Sequence, residues 1–196
     1  GAIQEALDMA EKFGDVRTKL VCLSNLLAIA NNKGDLERSE SLFEMALPLA
    51  ESMGDWRLYA FILYSGATLE NLRGNWERAG NLADKAIQLA SEIRSEEHQA
   101  HALAWRGEVE IELKAYEKAR TDFEAAADLY AKLGLEGMEA SIDAALGFLS
   151  VALEGDSAGM DTIQRVMNSF EEAGNHSDFC HAAFRSEEHT SELQSR

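Results

Sequence analysis

The stretch GEVEIELKAYEKARTDFEAAADLYAKLG, from Gly107 to Gly134, decides the fold of this chain. Its apolar residues do not alternate as those of a half-buried strand would. After Tyr116 the small and aromatic side chains fall at Ala119, Phe123 and Ala126, three or four apart, and so lie on one face of an α-helix. Gly134 then supplies the residue that ends a helix in the left-handed conformation at least steric cost. Upstream, Gly107 sits in a second helical pattern, and Lys114-Ala115 separates the two. The stretch reads as the end of one helix, a tight turn and a complete second helix.

Displacing the sequence by forty residues lays it on itself. Phe13-Gly14-Asp15 falls on Met53-Gly54-Asp55, Leu133-Gly134 and Ala173-Gly174-Asn175 keep the phase, and only Ile93-Arg94 lacks the glycine. A second marker repeats through Lys33-Gly34-Asp35-Leu36, Arg73-Gly74-Asn75-Trp76 and Lys114-Ala115-Tyr116. Its fourth copy, Glu154-Gly155-Asp156, comes one residue late, as a one-residue insertion in a turn would place it. Each unit therefore holds two helices, with glycine closing one and the following Asp or Asn accepting from the free N–H groups of the next. The second helices match as Leu36/Ser39/Phe43/Ala46/Leu47, Trp76/Ala79/Ala83/Ala86/Ile87 and Tyr116/Ala119/Phe123/Ala126/Ala127. In the first helices Ile29, Leu69, Val109 and Leu149 share one phase, and Leu27, Ala67, Gly107 and Gly147 another. Small residues let antiparallel helices approach closely. One hairpin cannot bury its own apolar face, so units must stack.

Gly107, Tyr116, Ala119, Phe123 and Ala126 together resemble the tetratricopeptide repeat. The first copy keeps Phe43 and Ala46 with Ser39 at the alanine position. The second keeps Ala79 and Ala86 with Ala83 at the aromatic position, and the family's first-helix tryptophan is Leu23, Leu63 and Leu103 here. The likeness covers roughly residues 1–184. It implies an all-α fold, a right-handed α-solenoid of antiparallel helical hairpins with about four and a half units. The long unit with its acidic connector, Ala50-Glu51-Ser52-Met53-Gly54-Asp55, is similar to the repeats of bacterial signal-transducing ATPases and LuxR-type, maltose-activator-like regulators. A cytoplasmic bacterial protein is the corresponding expectation.

Thirty-five acidic against eighteen basic residues give a formal charge of −17. That argues against a nucleic-acid phosphate surface, which needs a basic patch, and disfavours an anionic membrane as a partner. No apolar run is long enough to span a bilayer. Cys22 and Cys180 lie far apart in apolar helical stretches and read as buried free thiols in a reducing compartment.

No phosphate-binding glycine loop, dinucleotide fingerprint or HExxH motif occurs. His98 and His101 share a helix face at i,i+3, but without further ligands they read as a solvated helix entrance. Glu108, Glu110 and Glu112 alternate and so point apart on a helix. No catalytic residue, metal site or cofactor is expected. Trp76 is expected in the core, Trp56 against its connector, and Trp105 either between repeats or exposed as a binding aromatic. Pro48 removes the hydrogen bond to the Glu44 carbonyl and is expected to bend its helix.

In this family the first helices line a concave groove. The resemblance places Ser24, Ala28 and Asn31 there, then Tyr64, Thr68 and Asn71, then His101, Ala104 and Glu108 beside Trp105, and finally Ala144 and Phe148. Asn31 and Asn71 are equivalent by the forty-residue offset, and their amides suit an extended peptide backbone. The lysine/asparagine/arginine clamp of chaperone-binding members falls on Ser24, Ala28 and Tyr64, so that activity is not implied.

From Arg185 to Ser195 the sequence turns wholly polar and resembles the in-frame translation of a sequencing adapter. The repeat domain is therefore expected over residues 1–184, as a fragment truncated at both ends, with 185–196 a non-native tail. The functional expectation is an interaction scaffold holding a protein or peptide, with end-to-end self-association of its uncapped ends. The alternative is the sensor arm of a larger signalling ATPase or transcription regulator.

Overall fold

A helix in water stops where its last carbonyls find other donors, and this chain provides such a stop about every twenty residues. The computed structural model describes residues 1–155 and 158–172. Over these residues the helices are α1 (Ala2–Phe13), α2 (Val16–Asn32), α3 (Leu36–Met53), α4 (Trp56–Leu72), α5 (Trp76–Glu92), α6 (Glu96–Glu112), α7 (Tyr116–Leu133), α8 (Glu136–Glu154) and α9 (Ala158–Glu172). The expected tail, Cys180 and His176, His181 and His189 lie outside the described residues. Among the described residues no helix is long and apolar enough to cross a membrane.

The turns are built alike. The Asp15 amide donates to the Ala10 carbonyl at 2.9 Å, Asp35 to Ala30 at 3.0 Å, Asp55 to Ala50 at 3.3 Å, Asn75 to Glu70 at 2.8 Å and Ser95 to Ala90 at 2.8 Å. Where the repeat lacks its glycine the left-handed backbone persists, with φ of 54° at Arg94 and 59° at Lys114. A side chain there costs about 1–2 kcal/mol, so the stack imposes the turn even without glycine. Asp15, Asp35 and Asp55 cap α2, α3 and α4 by accepting from the amides of Thr18, Arg38 and Leu58. Asn75 departs from the expected role. It makes no cap bond, and its amide nitrogen donates to Glu70 Oε2 at 2.8 Å.

The helices form two compact units, one from Gly1 to Leu113 and one from Lys114 onward. In the first unit each helix packs on the next in the chain, and α4 also touches α2 and α6. In the second, α7 packs on α8 and α8 on α9. This order-by-neighbour packing is that of an α-solenoid. The second-helix alanines Ala46, Ala79, Ala86, Ala119 and Ala126 are completely buried, as is Ser39.

Close approach is concentrated at three glycines. A Cβ on Gly66 would lie 2.3 Å from Cε2 of Phe43, so the glycine makes room for that ring. One repeat later the same two positions hold Arg106 and Ala83, large and small exchanged. In the second unit α8 and α9 meet backbone to backbone, and a Cβ on Gly159 would lie 2.3 Å from the Gly147 carbonyl oxygen.

Trp76 is not in the core. It opens α5 with 39% of its surface exposed, while Ala79, Ala83, Ala86 and Ala90 of that helix are buried. A first-turn side chain leans toward the helix start and so reaches past the packed turns. Trp56, at the same position of α4, is 46% exposed, with its ring edge against Tyr59 at 6.0 Å between centroids. Helix α3 continues through the exposed Pro48.

Two substitutions to alanine are expected to act in opposite directions. Ser39 buries a hydroxyl with no hydrogen-bond partner among the described residues, at a position where other repeats have alanine. Ser39→Ala should stabilise the chain by about 1 kcal/mol. Gly159→Ala must push backbone away from backbone and should destabilise by about 1–3 kcal/mol, even though alanine favours helix by about 1 kcal/mol. Thermal unfolding of both variants beside the parent checks the two signs.

Candidate functional site

Equivalent helices of successive repeats lie side by side in the first unit, as α2, α4 and α6. On α4 the stripe Arg57, Phe61, Tyr64, Thr68 follows the three-to-four spacing of one helical face, and on α6 Glu97, His101, Ala104, Glu108 does the same. Of the residues expected to line a groove, Tyr64, Thr68, His101, Ala104 and Glu108 fall on these stripes, and several of the expected residues are spent on the scaffold. Ser24 is buried, and its hydroxyl donates to the Val21 carbonyl at 2.9 Å. Thr68 is buried and donates to the Tyr64 carbonyl at 3.1 Å.

Asn31 ties two helices together. Its Nδ2 donates to the Ser65 carbonyl of α4 at 2.8 Å, and the residue is 6% exposed. The amide oxygens of Asn31 and of its repeat partner Asn71 are both buried, with no hydrogen-bond partner among the described residues. Asn71 as a whole is half-buried.

Between α4 and α6 lies an aromatic seam. Tyr64 stacks on His101 with 5.5 Å between centroids and 30° between planes, and Phe61 presents an edge to Tyr64 at 5.1 Å. His98 lies 6.4 Å from Tyr64, and its Nδ1 is 2.8 Å from the Ser95 hydroxyl. Trp105 is partly buried and packs against the cluster of Leu63, Tyr64, Ala86 and Ala102. Glu108 is half-buried farther along α6. His98 and His101 are thus packed on tyrosine rather than solvated at the helix entrance. Sequence reasoning missed Phe61 as a member of this seam, although its place three residues before Tyr64 was the available signal.

Burial pushes both imidazoles below their ordinary pKa, because charging them would strand a cation among rings. The Glu97 carboxylate opposes the shift at both residues. Arg57 adds to it at His98, and His98 adds to it at His101. Among the described residues no group of three or more His, Cys, Asp or Glu stands ready to hold a metal ion. Cys22 is a buried free thiol.

No protein-family model matches the chain. No curated protein matches it either. Among solved structures it is similar to BtubC (BKLC) from P. vanneervenii, with a TM-score of 0.66 at 17% identity, over 100% of this chain and 91% of that one. The likeness supports the helical repeat fold.

The histidine pair gives a pH signature. The unfolded chain protonates these side chains near pH 6.5, and the folded chain does so at lower pH. In that window the unfolded state binds more protons, so stability falls as pH drops below about 6.5 and levels off beneath the folded values. Urea unfolding at about pH 7.5 and about pH 5.5 should show the parent losing more stability than a His98→Gln/His101→Gln variant. Equal losses would exclude the pair as the source.

Proposed function

We propose that this chain is an interaction scaffold of the tetratricopeptide type, which holds a peptide or protein partner against the α2–α4–α6 face. The seam of Phe61, Tyr64 and His101 with the half-buried Trp105 carries this reading. Rigid aromatic groups fixed by packing offer large contact area with little side-chain entropy left to lose, the usual property of binding hot spots. The helices supply the rigidity. Tyr64 is fixed between Phe61 and His101, and Asn31 fixes α2 to α4. Buried Ser24 and Thr68 serve the frame, while Asn71, His101, Trp105 and Glu108 form the partly exposed rim a partner would touch.

A second reading concerns the α1–α2 face. Ile29 is 39% exposed, whereas Leu69 and Val109 at the same repeat position are each 1% exposed. Helices α4 and α6 pack on the equivalent helices α2 and α4, which cover those two positions. Phe13 and Met9 are exposed nearby in sequence on α1, and a hollow of about 260 Å³ lined by Ile3, Leu26 and Ile29 opens between α1 and α2. Unstacked repeat faces favour association. We take this face as the seat of the end-to-end self-association.

Two measurements test these readings. Partner capture with Trp105→Ala should lose at least about 2 kcal/mol of affinity for a partner of the parent, while Lys85→Ala, an exposed residue on α5, should lose none. Equal retention by both would remove the groove. Light scattering across a concentration series should show growth in mass for the parent and less for Ile29→Lys, and a parent that stays monomeric throughout would overturn the second reading.

A further inference from the structure

At the amino-terminal ends of α2 and α4 an open pocket of about 480 Å³ is lined by Arg17, Met53, Asp55, Trp56, Arg57 and Ile93. Arg17 and Arg57 are repeat equivalents, forty residues apart, each the second residue of its helix. Neither guanidinium has a hydrogen bond or ion pair among the described residues. Their neighbours in the unit differ. Arg38 reaches Gln4, Arg73 holds Glu40, Arg78 faces Glu70 and Arg106 holds Asp84; Arg94, in its exposed turn, stands apart. The one acid in the pocket, Asp55, has Oδ1 engaged by the Leu58 amide that it caps. Asp15 precedes Arg17 and has its pKa lowered by its hydrogen bonds to Thr18 and, in smaller part, by Arg17. Neither arginine closes an ion pair with it or with Asp55, and in a chain of net charge −17 two such arginines lining one hollow stand out.

We infer that this pocket receives a carboxylate side chain of the partner, so that the ligand of the scaffold is an acidic peptide segment with an apolar residue beside the acid. This rests on the groove reading and specifies its chemistry. A guanidinium offers a planar fork of donors that a carboxylate accepts two at a time. Met53, Trp56 and Ile93 give the apolar neighbour a wall. Arg57 also begins the stripe that continues through Phe61 and Tyr64, so a chain anchored by its acid there runs on along the aromatic seam. The acidic exterior does not cancel this attraction, because charges farther than about 8–10 Å are screened at physiological salt. The place differs from the clamp of chaperone-binding relatives, whose positions fall on Ser24, Ala28 and Tyr64, one or more turns along the helices.

The test uses the full chain labelled with ¹⁵N and reads the Nε–H signals of Arg17 and Arg57 and the indole N–H of Trp56. Three probes are titrated: N-acetyl-glutamyl-leucinamide, its glutaminyl analogue, and inorganic phosphate. The acidic dipeptide should shift all three signals, bind at least about tenfold tighter than the glutaminyl analogue, and weaken as salt rises. Arg17→Gln/Arg57→Gln, with its helical circular dichroism unchanged, should weaken Trp56 shifts by at least about tenfold. Arg17→Lys/Arg57→Lys should recover only part of the loss. Equal binding of the two dipeptides, an undiminished Trp56 response in the glutamine variant, or phosphate outcompeting the acidic dipeptide would each overturn the inference, the last by showing a bare anion site. The groove is judged separately. Dipeptide binding that survives Trp105→Ala, with no partner held on the seam, removes the groove and leaves the pocket; capture that depends on Trp105 without a dipeptide response removes the pocket alone.

Discussion

The fold of the first unit depends on one backbone hydrogen bond, repeated at its turns, in which the amide two or three residues past the helix donates to a carbonyl one turn inside it. At Asp15, Asp35, Asp55, Asn75 and Ser95 that bond is 2.8–3.3 Å long. It forces the residue between into the left-handed region and reverses the chain, which brings each helix back antiparallel to the last. The accepting residue is buried every time, as Ala10, Ala30, Ala50, Glu70 and Ala90. The turn therefore fixes the local path and the side chain that must enter the core just beneath it. Arg94 shows the strength of this constraint, since its backbone accepts the left-handed turn with a side chain attached.

Where the turn places Glu70 instead of alanine, the structure answers with charge. Glu70 is 1% exposed, accepts from Asn75 at 2.8 Å and faces Arg78 at 3.3 Å. Asn75 gives up its capping role for this bond. A buried carboxylate without such partners would be untenable. The cap that the sequence suggests was lost to a buried acid five residues earlier, which takes the side-chain amide of Asn75.

The periodicity was legible because it is enforced by helix geometry. The forty-residue phase, the paired helices and the buried alanines all follow from spacings that a single sequence displays. The candidate site was legible only in part. The stripes through Tyr64, Thr68 and His101 could be read from three-to-four spacing, but their depth could not. Whether Ser24 faces solvent or its own helix, and whether Asn31 meets a ligand or Ser65, depends on how near the neighbouring helix stands. Trp76 illustrates the same limit from the other side: it shares the repeat position of Leu36 and Tyr116 and was expected in the core, but as the first residue of its helix it is 39% exposed.

Size and charge are exchanged between repeats without loss of the pattern, and this explains how a degenerate repeat stays specific. Phe43 with Gly66 becomes Ala83 with Arg106 one unit on. Glu40 with Arg73, 2.7 Å apart, becomes Arg120 with Glu154, 2.6 Å apart, in the second unit, each pair using the residue just before a left-handed glycine. Such partly exposed pairs add little to stability. Their value lies in discrimination. A register shift of one repeat would set a large residue against a large one and bring charges to the wrong partners, so each hairpin recognises its own neighbour by a complement that the next hairpin does not share.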